Sequence, residues 1–309
     1  MPLDSRHETE GQTPDHCPFC GGASRAHVSA PDRNRRASTV VFHIRGCQEC
    51  GLGFVVNAPN DLAAYYNSGY HFRPETVSDL APQLAAHQYK IDLVQRFKNT
   101  GRLLEIGPSA GMFCKLAQTA GFSVSAIEMD AECARFLNEQ LDVRTVCSNQ
   151  PEAVLEGDEQ SFDAICLWHV IEHVPKPWAV IEQAARRLKP GGVLVIAAPN
   201  PEAWQARLLG SYWPHYDLPR HLFHIPAPWL VKLGQRHGLE PELVTTRDEG
   251  SLFFNRFSWA MLLHARSKAP RVRDQLWRAG TALGYLLQPW EGREGKGATY
   301  TVVLRKPEA

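Results

Sequence analysis

The chain lacks any apolar run approaching the roughly 18 residues that a membrane-spanning helix needs, so no membrane association is expected. It also lacks an excess of charge of either sign. Lys+Arg and Asp+Glu both number 33, and the formal net charge is zero. Proteins that work on nucleic acid or anionic membrane select a basic surface, so this balance argues against both as principal partners. The polar stretch Met1 to Asp15 has no apolar core of a signal peptide and reads as a disordered lead-in. Four of the eight cysteines come in CxxC pairs, and Cys114, Cys133, Cys147 and Cys166 stand singly. The single ones read as small buried apolar residues. This usage suits a reducing compartment rather than a disulfide framework, so a cytoplasmic location is expected. At about 150 residues per domain, a chain of 309 residues predicts two domains.

The first domain is predicted from Cys17-Pro18-Phe19-Cys20 and Cys47-Gln48-Glu49-Cys50. Two such knuckles supply the four thiolates that a tetrahedral zinc ion takes. Gly21-Gly22 and Gly51 follow the pairs, where the backbone must curl. Between and after the pairs, Ser38 to Ile44 and Gly53 to Val56 read as strands. The module is a zinc ribbon over residues 16–60. All four ligand positions would be filled by protein, which makes the zinc structural. Arg25, Arg33, Arg35, Arg36 and Arg45 cluster within it, either as a solvated loop or as a phosphate-binding patch.

The second domain is predicted from a strand, Arg102 to Ile106, that runs into the turn Gly107-Pro108-Ser109-Ala110-Gly111 and a helix from Met112 to Ala120. A second strand, Ser123 to Glu128, ends in an acid. An acid about 20 residues beyond a glycine turn is placed to hold a ribose diol. The dinucleotide fingerprint GxGxxG is missing, because Ser109 stands where a middle glycine would be. The pattern Glu105-x-Gly107-x-x-x-Gly111 instead resembles motif I of the class I S-adenosylmethionine-dependent methyltransferases. Ser161 to Val174 is similar to that family's fourth strand and following loop. Lys189-Pro190-Gly191-Gly192 then ends a helix from Pro177, and a fifth strand from Val193 leads to Pro199-Asn200. The resemblance covers about Leu103 to Asn200. It implies S-adenosylmethionine as cofactor, with Glu105, Gly107, Ser109 and Gly111 under its methionine part and Glu128, followed by Met129, at its ribose. It also places His169 near the sulfonium end, with a packed loop histidine as the alternative. Tyr70, in the tyrosine-rich segment Tyr65 to His71, would cap the cofactor carboxylate or line the acceptor pocket; otherwise it staples the domains together.

His169-Val170-Ile171-Glu172-His173 matches the HxxEH pattern of inverted zinc peptidases. That chemistry needs a sustained helix, and a β-type run before the motif and Pro175 and Pro177 after it argue against one. Further along, Tyr212 to His224 crowds aromatics, prolines and three histidines, and resembles a segment of methyltransferases that act on sugars and related small metabolites. His221 is expected as general base for an acceptor hydroxyl, with His224 second and Asp217 as orienting partner. Asp79 to Asn99 reads as an amphipathic helix, Asn255 to Leu287 as a helical insertion, and Trp259 to Leu263 as a core, lid or dimer stripe.

The expected fold is α/β: a Rossmann-like seven-stranded methyltransferase sheet over residues 101–309, with a helical insertion at about 255–290. The small N-terminal zinc ribbon precedes it, joined by a helical connector at 61–100. The expected function is methyl transfer to a small-molecule acceptor, first to oxygen of a sugar or secondary metabolite. The alternatives are C-methylation of a keto-sugar, RNA methylation with the ribbon gripping RNA, and a non-catalytic zinc-ribbon interaction protein.

Overall fold

The computed structural model describes residues 15–66, 72–157, 160–267 and 269–308. Tyr70 and nearly all of the N-terminal lead-in lie outside them. The chain opens with β1 (Ser24–Pro31), β2 (Val41–Cys47) and β3 (Gly53–Val55). Helix α1 (Ala81–Gln95) leads into β4 (Gly101–Ile106), α2 (Met112–Thr119), β5 (Phe122–Glu128), α3 (Ala131–Glu139) and β6 (Arg144–Cys147). Then come α4 (Pro151–Gly157), β7 (Phe162–Trp168), α5 (Pro177–Arg187), β8 (Leu188–Pro199) and α6 (Trp204–Leu209). The last third holds β9 (Phe223–His224), α7 (Ala227–Arg236), β10 (Glu240–Thr245), α8 (Glu249–His264), α9 (Pro270–Glu291) and β11 (Thr299–Arg305).

Seven strands form one mixed sheet in the order β10-β11-β8-β7-β4-β5-β6. The pairs β8-β7-β4-β5-β6 are parallel, and β11 runs antiparallel to β8. The central strands are apolar on both faces, as a sheet covered by helices on both sides requires. Residues of β7 alternate between the two cores. Ile165 and Leu167 pack on one side with Val180 and Ile181 of α5 and Leu230 of α7. Ala164, Cys166 and Trp168 pack on the other with Val94 of α1 and Phe113 of α2.

The second sheet has the order β1-β2-β3-β9, so three strands of the N-terminal module are completed by a two-residue strand from far along the chain. Gly53 pairs with His224 and Phe54 with Phe223. A Cβ on Gly53 would lie 2.9 Å from the His224 Cβ, so only glycine lets the two backbones approach this closely. Leu52, Phe54 and Phe223 belong to the same apolar core as α5 and α7.

Several boundaries differ from expectation. Ser38 to Val40 is not strand. The Asp32 carboxylate accepts the amides of Arg35 and Ala37 and curls that loop, so β2 starts at Val41. β1 was not foreseen. Helix α5 ends at Arg187, and Lys189 to Gly192 bulges at the start of β8. The connector helix spans only Ala81–Gln95, because Asp79 caps a separate turn by accepting the amides of Glu75 and Thr76. The helical insertion is a hairpin of α8 and α9, broken before Pro270. Within it Trp259 and Ala260 are buried, which is core packing. Of the four single cysteines Cys147 is exposed, on the edge strand β6; the other three are buried.

Candidate active site

The turn after β4 is shaped by the protein's own packing. Gly107 has φ +71°, and a Cβ there would sit 2.5 Å from Val170 in the loop after β7. Gly111 has φ +82°, and its Cβ would meet Leu137 of α3 at 2.5 Å. Ser109 lies between them at φ 51°, a left-handed conformation that explains why glycine would suit the position. Its amide donates to Glu128 Oε2 at 2.8 Å, and the Asp130 amide donates to Glu128 Oε1 at 2.8 Å. The carboxylate at the tip of β5 is thereby fixed beside the turn, 3% exposed. Each of its oxygens has a further lone pair for a ligand hydroxyl. Met129, next in sequence, is 52% exposed. Asp130 caps α3 through the amides of Glu132 and Cys133.

Glu105 lies deeper. Its Oε2 accepts the Cys114 thiol of α2 at 3.0 Å. Burial pushes its carboxyl up from the usual range, against the pull of Lys90 in α1. It ties β4 to α2 behind the turn.

His169 follows directly on β7 at φ 59°, with its amide bonded to the Ala197 carbonyl and its ring 4.4 Å from that of Phe254. The next residues make a turn rather than a helix, so His169 and His173 do not share a helical face. Ile171 and Val174 plug the core. The Glu172 carbonyl accepts the amides of Leu222 and Phe223, and His173 Nδ1 donates to the Arg220 carbonyl at 2.9 Å. The segment 217–224 is therefore docked on the loop that touches Gly107.

Arg220, 0% exposed, fastens that segment to the N-terminal module. Its guanidinium donates to Asp32 Oδ1 at 2.8 Å, to both oxygens of Asp217 at 2.8 and 2.9 Å, and to the Tyr65 carbonyl at 3.2 Å. Burial would raise the Asp217 carboxyl, but the hydrogen bonds and charge of Arg220, with a further hydrogen bond from Asn34, hold it far below its usual range. The expected role of Asp217 as orienter of His221 changes accordingly: its partner is Arg220, and it approaches His221 Nε2 only to 3.9 Å. His221 is oriented instead by the His215 carbonyl, 2.8 Å from its Nδ1. Burial and neighbouring His173 hold His221 well below the usual imidazole range, so it is neutral. His224 packs against the Tyr216 ring, 5.2 Å away, in the seam of the second sheet.

The four cysteines of the N-terminal module converge. Cys17 and Cys50 sulfurs are 3.7 Å apart, and those of Cys20 and Cys47 are 3.5 Å apart. All four lie within 4.8 Å of one another. The Cys50 amide donates to the Cys47 sulfur at 3.4 Å, as expected of a knuckle.

Sequence reasoning missed Arg220 and Asp32, and placed Glu172 and His173 in the loop after the family-like fourth strand and in a peptidase pattern, without a role of their own. Their one signal was position: Arg220 stands beside His221, and Asp32 opens the arginine-rich loop.

A family profile described as a methyltransferase domain matches residues 71–244. The chain belongs to the methyltransferase-domain family. Among curated relatives, it is 31% identical to the ubiquinone biosynthesis O-methyltransferase of Xanthomonas oryzae pv. oryzae over 132 residues, 40% of this chain and 54% of that protein. Its identity to the protein of the same name from Cereibacter sphaeroides is 27% over 198 residues, 61% of this chain and 78% of that one. The chain thus spans about half the length of the first of these relatives. A SAM-dependent methyltransferase from Archaeoglobus fulgidus shares the fold, with a TM-score of 0.50 at 16% identity over 74% of this chain and 97% of that one. The methyltransferase fold is therefore that of class I, and S-adenosylmethionine is the cofactor of this family. No described helix is long and apolar enough to cross a membrane.

Proposed function

We propose that the chain transfers a methyl group from S-adenosylmethionine to an oxygen of a small-molecule acceptor, with a zinc-held module at residues 16–60 completed by β9. The observation that carries this reading is Glu128, amide-fixed at the tip of β5 beside the glycine turn. Its remaining lone pairs suit the ribose hydroxyls. The turn Gly107 to Gly111 gives close backbone approach, and exposed Met129 offers an apolar face for the adenine. The bound cofactor supplies an electrophilic methyl carbon on a sulfonium. His169, at the mouth of β7, would lie toward that end.

The acceptor side is the 217–224 segment. His221 Nδ1 faces a carbonyl, which only accepts, so Nδ1 carries the proton and Nε2 the lone pair. We assign His221 as the group that takes the acceptor proton. His224 and Asp217 position it by ordering the segment. Oxygen as the methylated atom is supported by the O-methyltransferase relatives.

The donor set Cys17, Cys20, Cys47 and Cys50 fits zinc. Tetrahedral Zn–S bonds of about 2.3 Å place sulfurs about 3.8 Å apart, near the 3.5 and 3.7 Å observed. Such an ion would have no open position, so its role is structural. The arginine cluster works within the molecule: Arg33 bonds the Ser211 carbonyl and stacks on Tyr212, and Arg36 bonds the Ala265 carbonyl. This favours a small-molecule acceptor over RNA. The reducing-compartment usage of cysteine supports a cytoplasmic enzyme.

The test is turnover of a hydroxylated acceptor found by screening phenols and sugars for methyl incorporation. His221→Ala should lower kcat by about 10²–10⁴-fold and leave cofactor affinity intact. Wild-type kcat in that variant would remove His221 from the proton transfer.

A further inference from the structure

Helix α8 is anchored along one side. Ser251 Oγ donates to the Thr299 carbonyl at 3.1 Å, Asn255 Oδ1 accepts the Ala298 amide at 2.7 Å, and Trp259 Nε1 donates to Glu291 Oε1 of α9 at 2.7 Å. Gly280 lets α9 close on α8, since a Cβ there would lie 2.5 Å from the Trp259 carbonyl oxygen. Helical spacing then turns Phe253, Phe254 and Phe257 to the other flank. That flank is only partly covered: Phe253 is 50% exposed, and Phe254 and Phe257 are half-buried. The rings form one connected stripe. Phe254 meets Phe253 at 5.3 Å between centroids, and Phe253 stacks on Phe257 at 5.8 Å. Phe257 meets the exposed Trp277 of α9 at 5.7 Å. The inner end is Phe254, with its ring 4.4 Å from that of His169 and 5.6 Å from that of His215. His169 precedes Val170, which abuts Gly107 of the cofactor turn, and the His215 carbonyl orients His221. The stripe thus starts between the turn assigned to the cofactor and the histidine assigned as base, and it runs outward to the surface.

We propose that this aromatic stripe of α8 binds the acceptor, that the acceptor is a hydroxylated aromatic ring rather than a sugar, and that Phe254 sets this choice. This deepens the methyltransferase reading and rests on it. Small-molecule sites are lined mostly by apolar and aromatic side chains, with a few polar groups that fix orientation. Aromatic rings attract one another in offset and edge-on arrangements, beyond the gain from burying their area. A sugar would bury several hydroxyls against the stripe, and a hydroxyl taken from water without a partner is costly. The phenylalanines offer no partner, and His215 Nε2 is already bonded to Ser258 Oγ at 2.7 Å. A phenol has one hydroxyl to satisfy, and a ring on Phe254 brings it toward His221. Because α8 is fixed along its other flank, the stripe is held in place before the acceptor arrives, which lowers the cost of binding.

The experiment is equilibrium dialysis of the full chain against 2-naphthol, with free 2-naphthol read by its fluorescence. S-adenosylhomocysteine, the demethylated cofactor, is present so that no turnover occurs. The wild type should bind 2-naphthol saturably, and excess methyl glucoside should not displace it. Phe254→Leu keeps the apolar bulk and loses the ring, and should bind about 2–10-fold more weakly. Phe254→Tyr keeps the ring and should bind as the wild type does. Phe253→Leu, at a half-exposed position, should weaken binding in the same direction and serves if Phe254→Leu does not fold. No saturable binding by the wild type overturns the proposal without any variant, including the case in which a second copy of the chain covers the stripe, seen as a dimer by light scattering. Displacement by methyl glucoside overturns it too, as does unchanged affinity in the leucine variants. Calorimetry with S-adenosylmethionine tests the cofactor reading by itself, so the two readings fail separately.

Discussion

The two ends of the proposed site, the cofactor turn after β4 and the 217–224 segment assigned to the acceptor, are built by different means. At the cofactor end, backbone amides grip one carboxylate, and the groups involved lie within 25 residues of one another: the Ser109 amide, Glu128 and the Asp130 amide. At the acceptor end, side-chain charge holds together pieces from across the chain. Arg220 reaches Asp32, 188 residues away in sequence, and β9 joins a sheet otherwise made by the N-terminal module. A local site can form from one strand-turn-helix unit. A composite one depends on every piece that it joins, so damage to the N-terminal module should reach the acceptor end and spare the cofactor end.

The largest expected effect comes from stripping the zinc proposed at Cys17, Cys20, Cys47 and Cys50. Structural zinc sites contribute about 10–16 kcal/mol to folding in small modules. Chelation should open residues 16–60 to proteolysis and release β9, while cofactor binding persists. A module that stays protease-resistant without metal would break the comparison at its root. Next is Arg220→Met, which leaves Asp32 and Asp217 buried without their partner. Removing one member of such a network costs about 3–5 kcal/mol, read as a lower urea midpoint. Adding Asp217→Asn should recover part of the loss, and an unchanged midpoint in the single variant would show that the network is not holding the segment.

What was legible in the sequence follows the same division. The CxxC pairs and the strand, turn and acid from Arg102 to Glu128 are short patterns whose spacing reflects local geometry, and they led to the fold. β9 has two residues, too few to show a period, and it exists only because Gly53 admits it. The Asp32–Arg220 pair joins residues with nothing in common along the chain. Asp217 was expected to orient His221, four residues on, yet its stronger partner, Arg220, is three apart and buried with it.

The acceptor end should also set the acid limit of stability. Burial lowers His215 from 6.5 to about 4 and His224 to about 3. Folded values below the unfolded one mean that the stabilisation is present above about pH 6.5 and is lost as pH falls toward 4 and then 3. For His215 this amounts to on the order of 3 kcal/mol. Glu172, raised by burial to about 8, acts in the opposite sense: its contribution is present below about pH 4.5 and is lost as pH rises through 8. Urea unfolding across pH should show a steep acid limb that flattens in His215→Asn. An equally steep limb in that variant would place the titration elsewhere.

The smallest effect in energy tests the central claim most directly: calorimetry of S-adenosylmethionine with the wild type and Glu128→Ala. The wild type should bind one cofactor per chain, and the variant should bind it about 10–150-fold more weakly, the loss of about 1.5–3 kcal/mol that a charged hydrogen-bonding group represents. No binding by the wild type, or equal affinity in the variant, would contradict the assignment of the β4 turn and the β5 carboxylate as the cradle of the adenosyl group.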